Sequence, residues 1–241
     1  MKKQLLLVLT LLIALFLAAC NDDAKDESSE KANDSESADT AEQTPEEVEI
    51  TEDEQADAES AVVSVNGNEI KGDKYNNIYK QLKTMLHMYG QDVSDLEMLK
   101  EETVAILVEQ ELIRQDAMES GIEVTEDDAQ AEIDKIIDTN GEEALTAMLE
   151  QYELTEDEFR SQLTDDLITI KYIETEFDVE VTEEEVEEQY NLIKEQEAEE
   201  VGELEEYEEQ IRQSISEQKQ GEMLEVRITE LRENAEIEML I

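Results

Sequence analysis

From Ala61 onward the apolar positions change period several times, and each change predicts an element. Val62, Val63 and Val65 run into Asn66-Gly67, a pair suited to the positive φ angles of a tight hairpin turn, and Asn68-Glu69-Ile70 returns. A β-hairpin is expected there. Gly72-Asp73 then opens a helix whose Tyr75, Ile78, Tyr79, Leu82, Leu86 and Tyr89 share one face at 3.6-residue spacing, with Gly90 as its C-terminal stop. The segment from Ser94 to Ser120 carries Leu96, Leu99, Val104, Leu107, Val108, Leu112, Ile113 and Ala117 and is closed by Gly121. Its stripe is the longest of the ordered part, so it is expected to form the core.

Four starts carry the same polar signature. Ser94-x-x-Glu97, Thr125-x-x-Asp128, Thr155-x-x-Glu158 and Thr182-x-x-Glu185 read as capping boxes, in which a hydroxyl and a carboxylate satisfy backbone amides that a helix start leaves unbonded. Val93 with Met98, Leu154 with Phe159 and Val181 with Val186 add hydrophobic staples. The helices that follow offer Ala129, Ile133, Ile136 and Ile137 before the Asn140-Gly141 break, then Leu145, Met148, Leu149 and Tyr152, then Phe159, Leu163, Leu167, Ile170, Tyr172, Ile173 and Phe177. Such faces can bury only one another.

After Thr182 the stripe thins. Val186, Tyr190 and Ile193 predict a helix to about Glu200, Gly202 interrupts, and Leu204, Tyr207, Ile211, Ile215, Leu224, Ile228 and Leu231 predict a long helix weakened at Gly221. Glu, Gln, Lys and Arg fill the other faces, as on an exposed arm. Ala235 to Ile241 partly alternates and reads as a strand able to pair with Val62 to Val65. The fold class is mainly α: a helical bundle with a small N-terminal β-hairpin, a C-terminal strand and a long C-terminal helical arm.

The first sixty residues follow other rules. Lys2 and Lys3, an apolar run from Leu5 to Phe16 and Leu17-Ala18-Ala19-Cys20 have the layout of a secretory signal peptide over residues 1–20. The run is short for a bilayer core of about 30 Å, which disfavours a retained span. Residues 21–60 hold 17 acidic and 2 basic side chains, a single Pro45 and almost no large apolar residue, so they read as a disordered, self-repelling tether. Such a coil spans on the order of 35 Å. Thr51-Glu52-Asp53-Glu54 resembles a capping box at its end. Residues 61–241 form the folded domain.

Charge narrows the function. With 69 acidic and 18 basic side chains the formal net charge is −51, and 52 of the acids lie beyond Ser60, so the acidity is global. It repels phosphate backbones and anionic head groups, which argues against nucleic acid as a partner. Solubility in a salty or alkaline exterior is one reading, and attraction of cationic partners is the other. Cys20 is the only cysteine, so the chain has no internal disulfide and no thiolate metal cluster.

These residues carry a resemblance. Leu17-Ala18-Ala19-Cys20 resembles the lipobox of bacterial lipoproteins, which implies lipid attachment at Cys20 and anchoring at the outer face of the cell membrane. Val65 to Ile70 before a helix, Ala117 to Ile122 followed by Val124-Thr125-Glu126, and Phe177 to Tyr190 resemble the SurA and PrsA group of extracytoplasmic chaperones. The likeness covers about Ala61 to Ile241, and the lipobox upstream is similar to PrsA-type lipoproteins of Gram-positive bacteria. It implies a SurA-type N-terminal helical fold and partly unfolded exported polypeptides as partners. Members commonly insert a parvulin prolyl isomerase domain between the helix holding Tyr190 and the one beginning near Tyr207. Fewer than 20 residues separate those positions here, so that domain is expected to be absent.

Residue chemistry agrees with a binding protein. His87, the only histidine, has no cysteine or second histidine with which to form a catalytic dyad or a zinc site, and no Gly-x-Ser-x-Gly, His-Glu-x-x-His or phosphate-loop pattern occurs. Asp22-Asp23 and Glu183-Glu184-Glu185 offer divalent cations only loose screening, since no Asp-x-Asp-x-Asp-Gly loop is present. No catalytic residue, metal site or cofactor is expected. Met85, Met88, Tyr89 and Met98 are the candidate client-binding patch, because methionine re-packs around varied partners. The expected function is a membrane-anchored holding chaperone that is not an enzyme. The alternatives are an envelope scaffold with one dedicated partner and, third, an isomerase-related foldase.

Overall fold

A computed structural model describes residues 48–152, 154–196 and 202–241. Residues 1–47, on which Cys20, the expected signal peptide and most of the expected tether fall, lie outside the described residues. No helix among those described is long and apolar enough to cross a membrane.

The Asn66-Gly67 pair makes the turn its chemistry suits. Asn66 has φ 53° and Gly67 φ 83°, the left-handed region that asparagine and glycine tolerate, and they join β1 (Ala61–Val65) to β2 (Asn68–Lys71). The register shifts between Ala61 and Val63, and Val62, Val63 and Val65 are all buried. The expected third strand is present: β3 (Ile237–Met239) runs antiparallel to β1 in the order β2-β1-β3, with Ser64 opposite Glu238. Asn66 fastens it, donating its amide to the Glu236 carbonyl at 2.8 Å and accepting the Glu236 amide on Oδ1 at 2.9 Å.

Among the described residues seven α-helices follow the periodicity: α1 (Gly72–Met88), α2 (Leu96–Glu119), α3 (Glu126–Asn140), α4 (Glu142–Gln151), α5 (Glu156–Glu176), α6 (Glu183–Gln196) and α7 (Leu204–Asn234). Thr125, Thr155 and Thr182 cap α3, α5 and α6 as expected, each donating and accepting hydrogen bonds with the acid three residues on. The fourth start differs. Asp95, not Ser94, caps α2, accepting the Met98 amide at 3.1 Å, while the Ser94 amide donates to Asp92 in the preceding turn. A carboxylate one residue later reaches the same orphan amides and gains from the positive end of the helix. At the other end of α2 the positive φ of Gly121 lets the Ile122 amide return to the Ala117 carbonyl at 2.8 Å, the bond that terminates a helix in this way.

The main core joins the sheet to α1 and α2 through Val62, Val65, Tyr79, Leu82, Leu99 and Leu107, with Leu231, Ala235 and Ile237 packed against it. Packed structure begins before Ala61, where the composition had placed its start. Thr51 and Glu54 form their capping box at the head of a short 3-10 turn, and Glu54 then accepts from Tyr79 Oη at 2.7 Å and Lys83 Nζ at 2.5 Å in the interior. Asn76 holds both backbone groups of Ala56, and Gly72 lies so close to the Asp57 carbonyl that a Cβ would come within 2.2 Å of it. Composition registers the charge of this segment but not the burial of one of its carboxylates against a lysine.

The arm is more engaged than its sparse stripe implied. One half of α7 pairs with α6 around Val186, Tyr190 and Ile211, a separate small core, and the other half returns to the bundle through Leu224, Ile228 and Leu231. The helix runs through Gly221 without a break.

Candidate functional site

The four residues of the sequence-read patch do not act alike. Met88 and Tyr89 are exposed at the end of α1, with Gln151 of α4 donating to the Met88 sulfur, whereas Met85 and Met98 are partly buried against the main core. The patch is therefore two exposed side chains over two packing residues. His87 is half-buried on α1, and Cys20 lies outside the described residues.

A better-formed surface lies where α5 ends. Phe177 is buried against Tyr172, rings edge to face at 5.6 Å, and the chain beyond it alternates: Asp178 and Glu180 point to solvent, Val179 and Val181 are half-buried. That period of two marks an extended strip without a strand neighbour. Three side chains of α7 fasten it by donating to its carbonyls: Gln220 to Phe177 at 3.1 Å, Lys219 to Glu180 at 2.7 Å, and Arg212 to Val181 at 3.0 Å. Lys219 also pairs with Glu185 of α6 at 2.6 Å.

Between this strip and α7 runs an open cleft of about 620 Å³. Phe177, Val179, Met223 and Val226 give it an apolar floor, and Val226 is 61% exposed. Its margin is acidic, with Asp178 and Glu180 on the strip and Glu222 and Glu230 on the helix. The two cations that line it are committed elsewhere. Lys219 is held as above, and Arg227 grips Asp116 of α2 through two bonds, Nε to Oδ2 at 2.9 Å and Nη2 to Oδ1 at 2.7 Å.

Asp116 anchors the cleft from below. Tyr172 of α5 donates its hydroxyl to the same carboxylate, so one buried charge joins α2, α5 and α7. Burial alone would raise the Asp116 carboxyl; the hydrogen bonds from Arg227 and Tyr172 outweigh it and hold it below the usual carboxylate range. Burial and that carboxylate push the Tyr172 phenol up to about 12. With every member paired, the network makes a rigid floor support.

An exposed apolar floor between acidic margins can hold a chain segment. The cleft lacks a histidine, cysteine or serine to serve as nucleophile, and among the described residues no three His, Cys, Asp or Glu side chains gather as a metal site. Sequence reasoning missed this cleft, although a sign was legible: Met223 and Val226 stand off the Leu224, Ile228 and Leu231 stripe, on the face an acidic helix gives to water.

Residues 49–173, over half of the chain, match the model of the SurA-like N-terminal domain family. No curated protein matches the chain.

Proposed function

Because the chain belongs to the SurA-like N-terminal domain family, we propose that it is a lipid-anchored chaperone of the cell exterior that holds exported polypeptides before they fold and catalyses no prolyl isomerisation. The carrying observation is the cleft, which lies beyond the family-matched residues 49–173: it presents Met223 and Val226 to solvent over a rigid support, with acids around them to keep a loaded complex soluble. The anchor rests on Cys20 and its lipobox, since two or three acyl chains hold a protein stably at about 0.8 kcal/mol per buried methylene. The non-enzymatic part rests on the passage from Gln196 of α6 to Leu204 of α7, where the family's isomerase insert has no room.

The test uses the full chain in phosphatidylcholine nanodiscs, with empty discs as blank. Near-equimolar protein is expected to suppress the light scattering of thermally unfolded citrate synthase, and a several-fold excess without suppression rejects the holding role. In the same preparation a proline-limited refolding reaction is expected to run at its uncatalysed rate; acceleration by substoichiometric protein rejects the non-enzymatic part. Growth of cells with radiolabelled palmitate tests the anchor, since label is expected in the parent and lost in Cys20→Ser.

A further inference from the structure

The margin of the cleft specifies what it takes. Of the charged groups there, Lys219 and Arg227 are neutralised by Glu185 and Asp116, and Arg227 reaches Glu230 as well at 3.3 Å. The side chains of Asp178, Glu180 and Glu222 form no ion pair among the described residues, because the two cations beside them are taken by other acids, so an occupant meets negative charge on both sides of an apolar floor. On the strip, exposed Asp178 and Glu180 alternate with half-buried Val179, so the acids stand beside the apolar floor.

We infer that the cleft between residues 177–180 and α7 binds extended segments in which apolar side chains alternate with lysine or arginine. The apolar side chains sit on Met223 and Val226, the cations reach Asp178, Glu180 and Glu222, and the two sets fall on opposite faces of an extended chain, as a period of two requires. Selection comes from charge: an acidic segment of the same apolar content meets like charge on both margins, and a basic segment without apolar residues gains only screened attraction. This rests on the chaperone reading and narrows its clients to a class.

Short fluorescein-labelled peptides test it by anisotropy, with the full chain in phosphatidylcholine nanodiscs. One peptide alternates Lys with Val and Leu, a second carries Glu in place of Lys, and a third keeps Lys but has Ser in place of the apolar residues. The Lys-apolar peptide is expected to bind about tenfold or more tighter than either, at about 0.15 M salt. The double variant Met223→Ser, Val226→Ser, which alters exposed positions, is expected to lose about tenfold for that peptide. The triple variant Asp178→Asn, Glu180→Gln, Glu222→Gln is expected to bring the Lys-apolar and Glu-apolar peptides within about threefold of each other. Thermal melts confirm that each variant is folded. If the double variant binds as the parent does, attraction is spread over the acidic surface and the inference is overturned; equal binding of the Glu-apolar peptide to the parent overturns it as well. Suppressed aggregation combined with either result leaves the chaperone reading standing and removes only this one.

Discussion

Glu54 shows how a single charge in this chain is stabilised once water is removed. Burial pushes its carboxyl up, but Lys83, the Thr51 amide and hydroxyl, and Tyr79 outweigh that and hold it at about 2. A folded value below the unfolded one contributes stability that is present above about pH 4.5 and drains away as the pH falls toward 2. Glu54→Gln leaves Lys83 buried without its counter-charge, with only the Glu49 carbonyl to accept from it at 2.8 Å, and urea unfolding at neutral pH is expected to show a loss of about 3 kcal/mol. The difference from the parent narrows in acid, and a difference that stays constant down to pH 3 contradicts the pairing. Asp166 on α5 has the opposite sign. Burial, and then the neighbouring Asp165, push its carboxyl up to about 7. Its folded value exceeds the unfolded one, so the stability it contributes is complete below pH 3.8 and is lost as the pH rises toward 7. The side chain is only half-buried, so solvent moderates the effect. Asp166→Asn is expected to be about 1–2 kcal/mol more stable than the parent near pH 8 and equal to it near pH 4; equal stability at both values excludes the strained carboxylate.

At the scale of elements, the local grammar decided nearly everything that it could reach. Asn66-Gly67 as a turn, Gly121 as a helix stop and the Thr125, Thr155 and Thr182 boxes are each complete within a few residues, so their outcome was legible without the fold. Ser94 failed because two adjacent residues could both cap, and a rule based on spacing does not weigh a hydroxyl against the carboxylate beside it. The correction has a direct test. Asp95→Ala is expected to cost about 1 kcal/mol in denaturant unfolding, and Ser94→Ala only a few tenths. The reverse ranking restores Ser94 as the cap. Gly221, read as a weak point of the long helix, does not interrupt it. Its helical cost is about 1 kcal/mol, and Leu224, Ile228 and Leu231, packed on the bundle a turn or more away, offset it.

At the scale of the molecule, the off-stripe Met223 and Val226 hinted at one wall of the cleft, but its assembly could not be read, because contacts across tens of residues bring the walls together. Arg212, Lys219 and Gln220 look like ordinary surface residues until α7 lies against the strip whose carbonyls they hold. Charge, by contrast, is a property of the whole chain that no contact list replaces. With 69 acids against 18 basic side chains, most carboxylates have no cation to pair with. Several of the pairs that do form, such as Lys135 with Glu132 and Arg212 with Glu208, lie one turn apart on exposed helix faces and contribute about 0.3–0.5 kcal/mol each. Self-repulsion among the remaining acids outweighs these contacts and opposes the compact state. Salt that shortens the screening length from about 20 Å to about 4 Å relieves that repulsion over many pairs and weakens only a few bridges. The melting temperature is therefore expected to rise by about 4–8 °C between roughly 20 mM and 0.5 M sodium chloride, the equivalent of about 2 kcal/mol for a chain of this size. Choline chloride is expected to act as sodium chloride does, because screening depends on ionic strength and not on a bound cation. A melting temperature that falls with salt assigns the stability to ion pairs instead, and a rise confined to sodium chloride points to a cation site.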